Sequence, residues 1–135
     1  MWAALVRRWR RRRDAAAVAR RQIPDRLWRR TLKRFAFLPR GDADETELRR
    51  LTSLFLDRKE FSGAHGLVVT DDMAVAIAAQ ACLPVLRVGL EPYDRFVGIV
   101  VHPGQAVARR STADEDGVVH EFEEVLSGEA LEGGP

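Results

Sequence analysis

GLVVTDDMAVAIAAQACLPVL, residues 66–86, sets the architecture of the chain. Thr70-Asp71-Asp72 has the chemistry of a helix start, with a hydroxyl to cap exposed N–H groups and carboxylates at the positive end of the dipole. MAVAIAAQACL, which follows, has Gln80 as its one polar side chain. A helix that is apolar all round belongs in an interior, and Pro84 ends it. The rest of the chain is read as what surrounds it.

Upstream lie three helical stretches. Residues 1–22 carry Trp2, Leu5, Val6 and Trp9 at helical spacing among arginines and alanines, which are strong helix formers. Beyond Trp9 that face is mostly alanine, so the segment is expected to be an extension outside the core. Pro24 opens the next stretch, and Leu27, Trp28, Leu32 and Phe35 give residues 25–36 an apolar stripe. Phe37 to Gly41 breaks it. A third helix is expected over 44–57, with Asp42, Asp44, Glu45 and Glu47 serving the electrostatics of its first turns.

Downstream signals alternate. Ser62-Gly63 is expected to be a turn, Gly66–Val69 a short strand, and Val85–Val88 extended. Glu91-Pro92-Tyr93-Asp94 is turn-like. Arg95 to Val101 is the strongest strand signal, closed by His102-Pro103-Gly104. Residues 109–116, RRSTADED, read as a polar loop, and Val118 to Leu126 alternates like a strand with a solvated acidic face. The fold class expected is α+β, with N-terminal helices packed on a small mixed β-sheet. Domain organisation follows as a basic extension, 1–22, and one domain, 23–135.

The net charge of +2 and the pI of about 9.2 conceal a division. Residues 1–40 hold 14 Arg and Lys against Asp14 and Asp25, while residues 41–135 hold 8 basic and 18 acidic residues. Arg7, Arg8, Arg10, Arg11, Arg12 and Arg13 are therefore candidates for contact with phosphate or lipid headgroups, each a forked donor of permanent charge. A solvated leader is the first reading, and nucleic acid or an anionic membrane is not the expected partner, because basic tracts are common and carry no sequence readout. No apolar run approaches the roughly 20 residues needed to span a bilayer. WAALV is shorter than a secretory h-region of about 7–15 residues and precedes the arginines. One cysteine, Cys82, excludes an internal disulfide framework and fits a reducing cytoplasm. Its apolar neighbours make it a small buried hydrophobe.

HEFEE, residues 120–124, sits one residue from the zinc motif H-E-x-x-H. On a helix, His120 and Glu124 would share a face. The flanking Val118-Val119 and Val125-Leu126 favour an extended segment instead. A third ligand would have to come from elsewhere, and His65 and His102 are the remaining histidines. The chain has no phosphate loop, no G-x-G-x-x-G, no G-x-S-x-G and no Cys/His cluster.

Several stretches in order carry a resemblance. LFLDRKEF is followed by CLPVLRVGL at 82–90, VHPG at 101–104 and SGEALEGGP at 127–135. From about Ile23 to Pro135 the chain resembles the amino-terminal half of the Mlc titration factor A (MtfA) family of cytosolic bacterial zinc peptidases. His102 stands where that family usually has tyrosine, and Leu131 where many members have tryptophan. The resemblance implies half of a zincin-like metallopeptidase. In the family, a helix with H-E-x-x-H and a more distant glutamate follow the S-G…G-P segment. These residues contain no such helix, and HEFEE aligns with a strand. The expectation is the amino-terminal portion of a zinc peptidase, as fragment or truncated product. Its intact form would cleave peptides with a zinc-activated water, while this chain holds no zinc, supplies no catalytic or metal-ligating residue and is silent alone. The alternatives are a non-catalytic module binding a transcriptional repressor of the Mlc type, and a nucleic-acid or membrane-surface binder acting through the leader. If neighbours of the buried helix lie outside the chain, exposed apolar surface is expected to drive self-association.

Overall fold

The computed structural model describes residues 1–103 and, as backbone, residues 105–110. Four α-helices are α1 (Trp2–Arg20), α2 (Asp25–Arg34), α3 (Ala43–Arg58) and α4 (Asp71–Cys82). Three strands are β1 (Glu60–Gly63), β2 (Phe96–His102) and β3 (Gln105–Arg110), with a 3-10 turn at Glu91–Tyr93. The sheet order is β1-β2-β3, with β1 parallel and β3 antiparallel to β2. This is the α+β arrangement expected of helices on a small mixed sheet.

The central helix forms as its sequence dictates. Thr70 caps it by accepting a bond from the Met73 N–H at 3.2 Å, and its residues Val75 to Cys82 are all buried. Between the parallel strands β1 and β2, α4 supplies the long connection that such a pair requires. Its alanines let other helices come close: α3 packs along it, and α2 crosses it with an Arg30–Asp72 ion pair at 2.8 Å. Phe55, Leu48, Leu51, Ile77 and Ile99 fill the space between helices and sheet.

The start of α3 carries the most connected polar group of the fold. Asp42 accepts from the Glu45 N–H at 3.1 Å, and Glu45 Oε1 accepts from the Gly41 N–H at 2.6 Å. This is a reciprocal cap in which both exposed donors find a carboxylate. The other oxygen of Glu45 accepts from the Trp28 indole Nε1 at 3.0 Å. Trp28 is 1% exposed, so that bond satisfies the only polar atom of a large buried side chain. Asp44 instead pairs with Arg87 at 2.8 Å and Glu47 with Arg50 at 2.7 Å. The Arg40 guanidinium closes the other end of α2, donating to the carbonyls of Leu32, Phe35 and Leu38 at 2.8–3.3 Å.

Four local expectations differ from the structure. Ser62-Gly63 is the end of strand β1, paired with Val100 and Val101, and not a turn. Gly66–Val69 is not a strand, and Val68 is 77% exposed. The cause is a reversal at Ala64–Gly66, where His65 and Gly66 take φ of 55° and 80° and Leu67 N–H donates to the Ala64 carbonyl at 3.0 Å. The chain then folds back over Gly63, so close that a Cβ there would lie 1.8 Å from the Leu67 oxygen. Val85–Val88 is not extended but a run of turns, because the N–H groups of Val85, Leu86, Val88 and Gly89 bond carbonyls three or four residues back. Arg109 and Arg110 belong to β3, pairing with Gly98 and Phe96, so the polar loop begins no earlier than residue 111. The expected strand 118–126, HEFEE and SGEALEGGP lie outside the described residues.

Two predictions follow from this packing. Glu45→Ala should lower stability by about 1–2 kcal/mol at neutral pH. The bonds from Gly41 and Trp28 hold the Glu45 carboxyl below its ordinary value of 4.5. A depressed carboxyl stabilises fully above the unfolded value and loses that contribution as pH falls through the folded one. Denaturant unfolding of wild type and variant should therefore draw together as pH is lowered below 4.5; a gap independent of pH would show the carboxylate to be irrelevant. Gly63→Ala should cost about 1–3 kcal/mol through backbone overlap, against no more than a few tenths for the exposed neighbour Ser62→Ala, read as shifts in thermal midpoint.

Candidate functional site

A cleft of about 490 Å³ opens where the end of α1, the start of α2, β1 and the start of α4 converge. Ile23, Leu27, Phe61 and Val75 give it an apolar floor. Arg20, Arg21, Glu60 and Asp71 stand around it. The arginines are there because α1 ends in basic residues beside Asp57, which Arg20 pairs with at 3.1 Å and Arg21 at 3.6 Å.

Lys59 also lines this cleft, and its ammonium is committed elsewhere. It is 8% exposed and donates to the carbonyls of Tyr93 and Phe96, with the Phe96 ring 4.4 Å away. Burial lowers its pKa, opposed by the nearby Asp94. A lysine spanning two carbonyls ties the end of α3 to the 3-10 turn and β2; it is not a free base or nucleophile. Tyr93 in turn donates its hydroxyl to the Ala81 carbonyl at 2.8 Å, closing the end of α4.

Histidines 65 and 102 come together at the ends of β1 and β2. Their ring centroids are 5.7 Å apart and the planes are tilted by 52°. Sequence spacing gave no sign of this, since the parallel register of β1 on β2 and the left-handed turn at His65 create it. A zinc site needs three protein donors or more. Among the described residues no group of three His, Cys, Asp or Glu side chains is placed to hold a metal ion. His120 and Glu124 lie outside the described residues.

The remaining candidates are placed as follows. Cys82 is buried, and desolvation pushes its thiol well above the ordinary range, against a counteracting bond with Thr52; it is a core side chain. Gln80 donates to the Ala76 carbonyl at 3.0 Å, while its Oε1 has no partner among the described residues. Arg7, Arg8, Arg10, Arg11, Arg12 and Arg13 are exposed on the first half of α1 and do not reach the cleft, which takes Arg20 and Arg21 instead.

Comparison with known proteins accounts for most of the chain. The family model for glucose-regulated metallo-peptidase M90 matches residues 6–135; it takes in most of α1, which the resemblance from Ile23 onward left out. A Mlc titration factor A of Klebsiella pneumoniae is 37% identical over 93 residues, covering 67% of this chain and 35% of that protein. The Pectobacterium atrosepticum protein of the same name is 33% identical over 97 residues, covering 72% and 37%. An uncharacterized protein of Synechocystis is 40% identical over 77 residues, 57% of this chain and 28% of its own length. The chain thus spans about a third of the length of the curated relatives it matches. With the model matched over all but its first five residues, the chain belongs to the glucose-regulated metallo-peptidase M90 family.

Proposed function

We propose that these residues form the supporting wall of a cytoplasmic zinc-dependent peptidase, whose metal ligands are supplied by sequence following Pro135. The observation that carries this reading is the family match over residues 6–135, taken with curated relatives of whose length this chain spans about a third. In this reading zinc, once bound, supplies an activated water for peptide hydrolysis. The described residues do the structural part. Glu45, Trp28 and Arg40 fix α2 against α3, and Lys59 fixes α3 to the sheet, so that a later helix meets a rigid surface. The apolar cleft floored by Ile23, Leu27, Phe61 and Val75 is a place for such a helix or for an apolar substrate side chain.

The names of the relatives support a second reading. Mlc titration factor A describes proteins that titrate Mlc, and a surface of this chain would bind a transcriptional regulator of that type. Binding to a purified Mlc-type repressor, with and without residues 1–22, separates this reading from the first.

The 135-residue chain, dialysed against zinc and then against buffer, should retain well under one equivalent of metal and show no peptidase activity. A reading frame continuing past codon 135 should encode H-E-x-x-H, and its product should bind zinc and cleave peptides. Tightly held stoichiometric zinc in the 135-residue chain, lost on His120→Ala, would falsify the proposal.

A further inference from the structure

The first half of α1 carries an apolar stripe that no part of the fold covers. Trp2, Leu5 and Trp9 are 78%, 53% and 59% exposed. At 3.6 residues per turn the three fall within a sector of about 60°. The side of α1 that meets the fold is another one: Ala17 is buried, Val18 is packed against the core, and Asp14 binds Arg58 at 2.9 Å. That side is centred about 140° round the helix from the stripe. The second half of α1 is thus moored to α3, and the stripe on the first half faces outward.

Charge borders the stripe. By the same geometry Arg12 and Arg13 lie along its two edges, and the Arg13 guanidinium sits over the Trp9 ring at 4.8 Å. Arg7, Arg8, Arg10 and Arg11 occupy the rest of the exposed circumference. Among the described residues, the ion pairs of α1 begin at Asp14, so the six arginines before it face solvent with their charge unneutralised by the fold.

Tryptophan and leucine on one side with arginine on both flanks is the chemistry of a helix lying in a bilayer interface. Indole rings settle at headgroup depth, the aliphatic side chain reaches the acyl boundary, and guanidinium groups bind lipid phosphates while their stems cover apolar surface. No helix among the described residues is long and apolar enough to cross a membrane, so this contact lies along the surface. Single-stranded nucleic acid would use the arginines and indoles but has no use for Leu5 between them. We propose that α1 docks the protein on anionic phospholipid surfaces through Trp2, Leu5 and Trp9, with Arg12 and Arg13 on headgroup phosphates.

The test uses the full chain and vesicles of phosphatidylcholine, alone or mixed in equal parts with phosphatidylglycerol. Co-sedimentation should be strong with the mixed vesicles, at least about tenfold weaker with phosphatidylcholine alone, and reduced by added salt. Replacing Trp2, Leu5 and Trp9 together by alanine should lower binding to mixed vesicles about tenfold or more, with the thermal midpoint unchanged because none of the three is buried. Arg12→Gln with Arg13→Gln should weaken binding to mixed vesicles and leave the residual binding to phosphatidylcholine unaltered. The proposal is overturned by absence of sedimentation, by equal binding to both vesicle types, or by undiminished binding of the triple variant. Binding to a single-stranded oligonucleotide without binding to vesicles overturns it as well, and assigns the arginines to nucleic-acid phosphate.

Discussion

A helix buried from Val75 to Cys82 has no face left for water, and the rest of the fold is arranged to keep it so. Its side chains are mostly alanine, too small to fill space themselves. Covering elements must therefore approach closely and bring the volume, which they do with Trp28, Phe55, Leu48 and Leu51. Close approach in turn leaves little room for unpaired polar groups. Trp28 must find an acceptor, Lys59 must find carbonyls, and the end of α4 must find a donor, met by Glu45, by Tyr93 and Phe96, and by the Tyr93 hydroxyl respectively. The polar network is a consequence of burying α4.

That dependence explains what was legible in the sequence. The helix itself was plain, since ten apolar residues and a Thr-Asp-Asp start admit few other readings. The stripes of α2 and α3 were plain for the same reason of period. At residues 60–69 the structure departs from composition for a definite physical reason. Leu67-Val68-Val69 has strand composition, but pairing to β2 is won by Glu60–Gly63, and the reversal at His65 leaves the valines outside the sheet. Composition reports side-chain preference; it does not report which segment reaches the ladder first. Val85–Val88 departs from its extended composition in the same way, its N–H groups being consumed in successive turns.

Site chemistry was less legible than fold, because it depends on tertiary register. The approach of His65 to His102 arises from two strands paired in parallel, and the Glu45–Trp28 bond spans 17 residues. Neither has a local signature. Glu45 reads correctly as a helix-start carboxylate from its position, yet its second oxygen has a task that position alone does not disclose. The charge division between residues 1–40 and the remainder was visible at once, whereas the outward orientation of Trp2 and Trp9 needed the placement of α1 on α3.

Family membership and geometry divide the explanation between them. The match to the metallo-peptidase family states what kind of enzyme the chain is related to, and the described residues show how four helices and a small mixed sheet are held together. The fold rests on α4 remaining inaccessible. Cys82, the single cysteine of the chain, lies at its buried end and reports this directly. The decisive measurement is the rate at which a thiol-specific reagent labels Cys82 under native conditions, compared with the rate in denaturant. Labelling slowed by a factor equal to the global unfolding constant is the expected result. Labelling at the rate of a free thiol, in protein that is otherwise folded, would contradict the account.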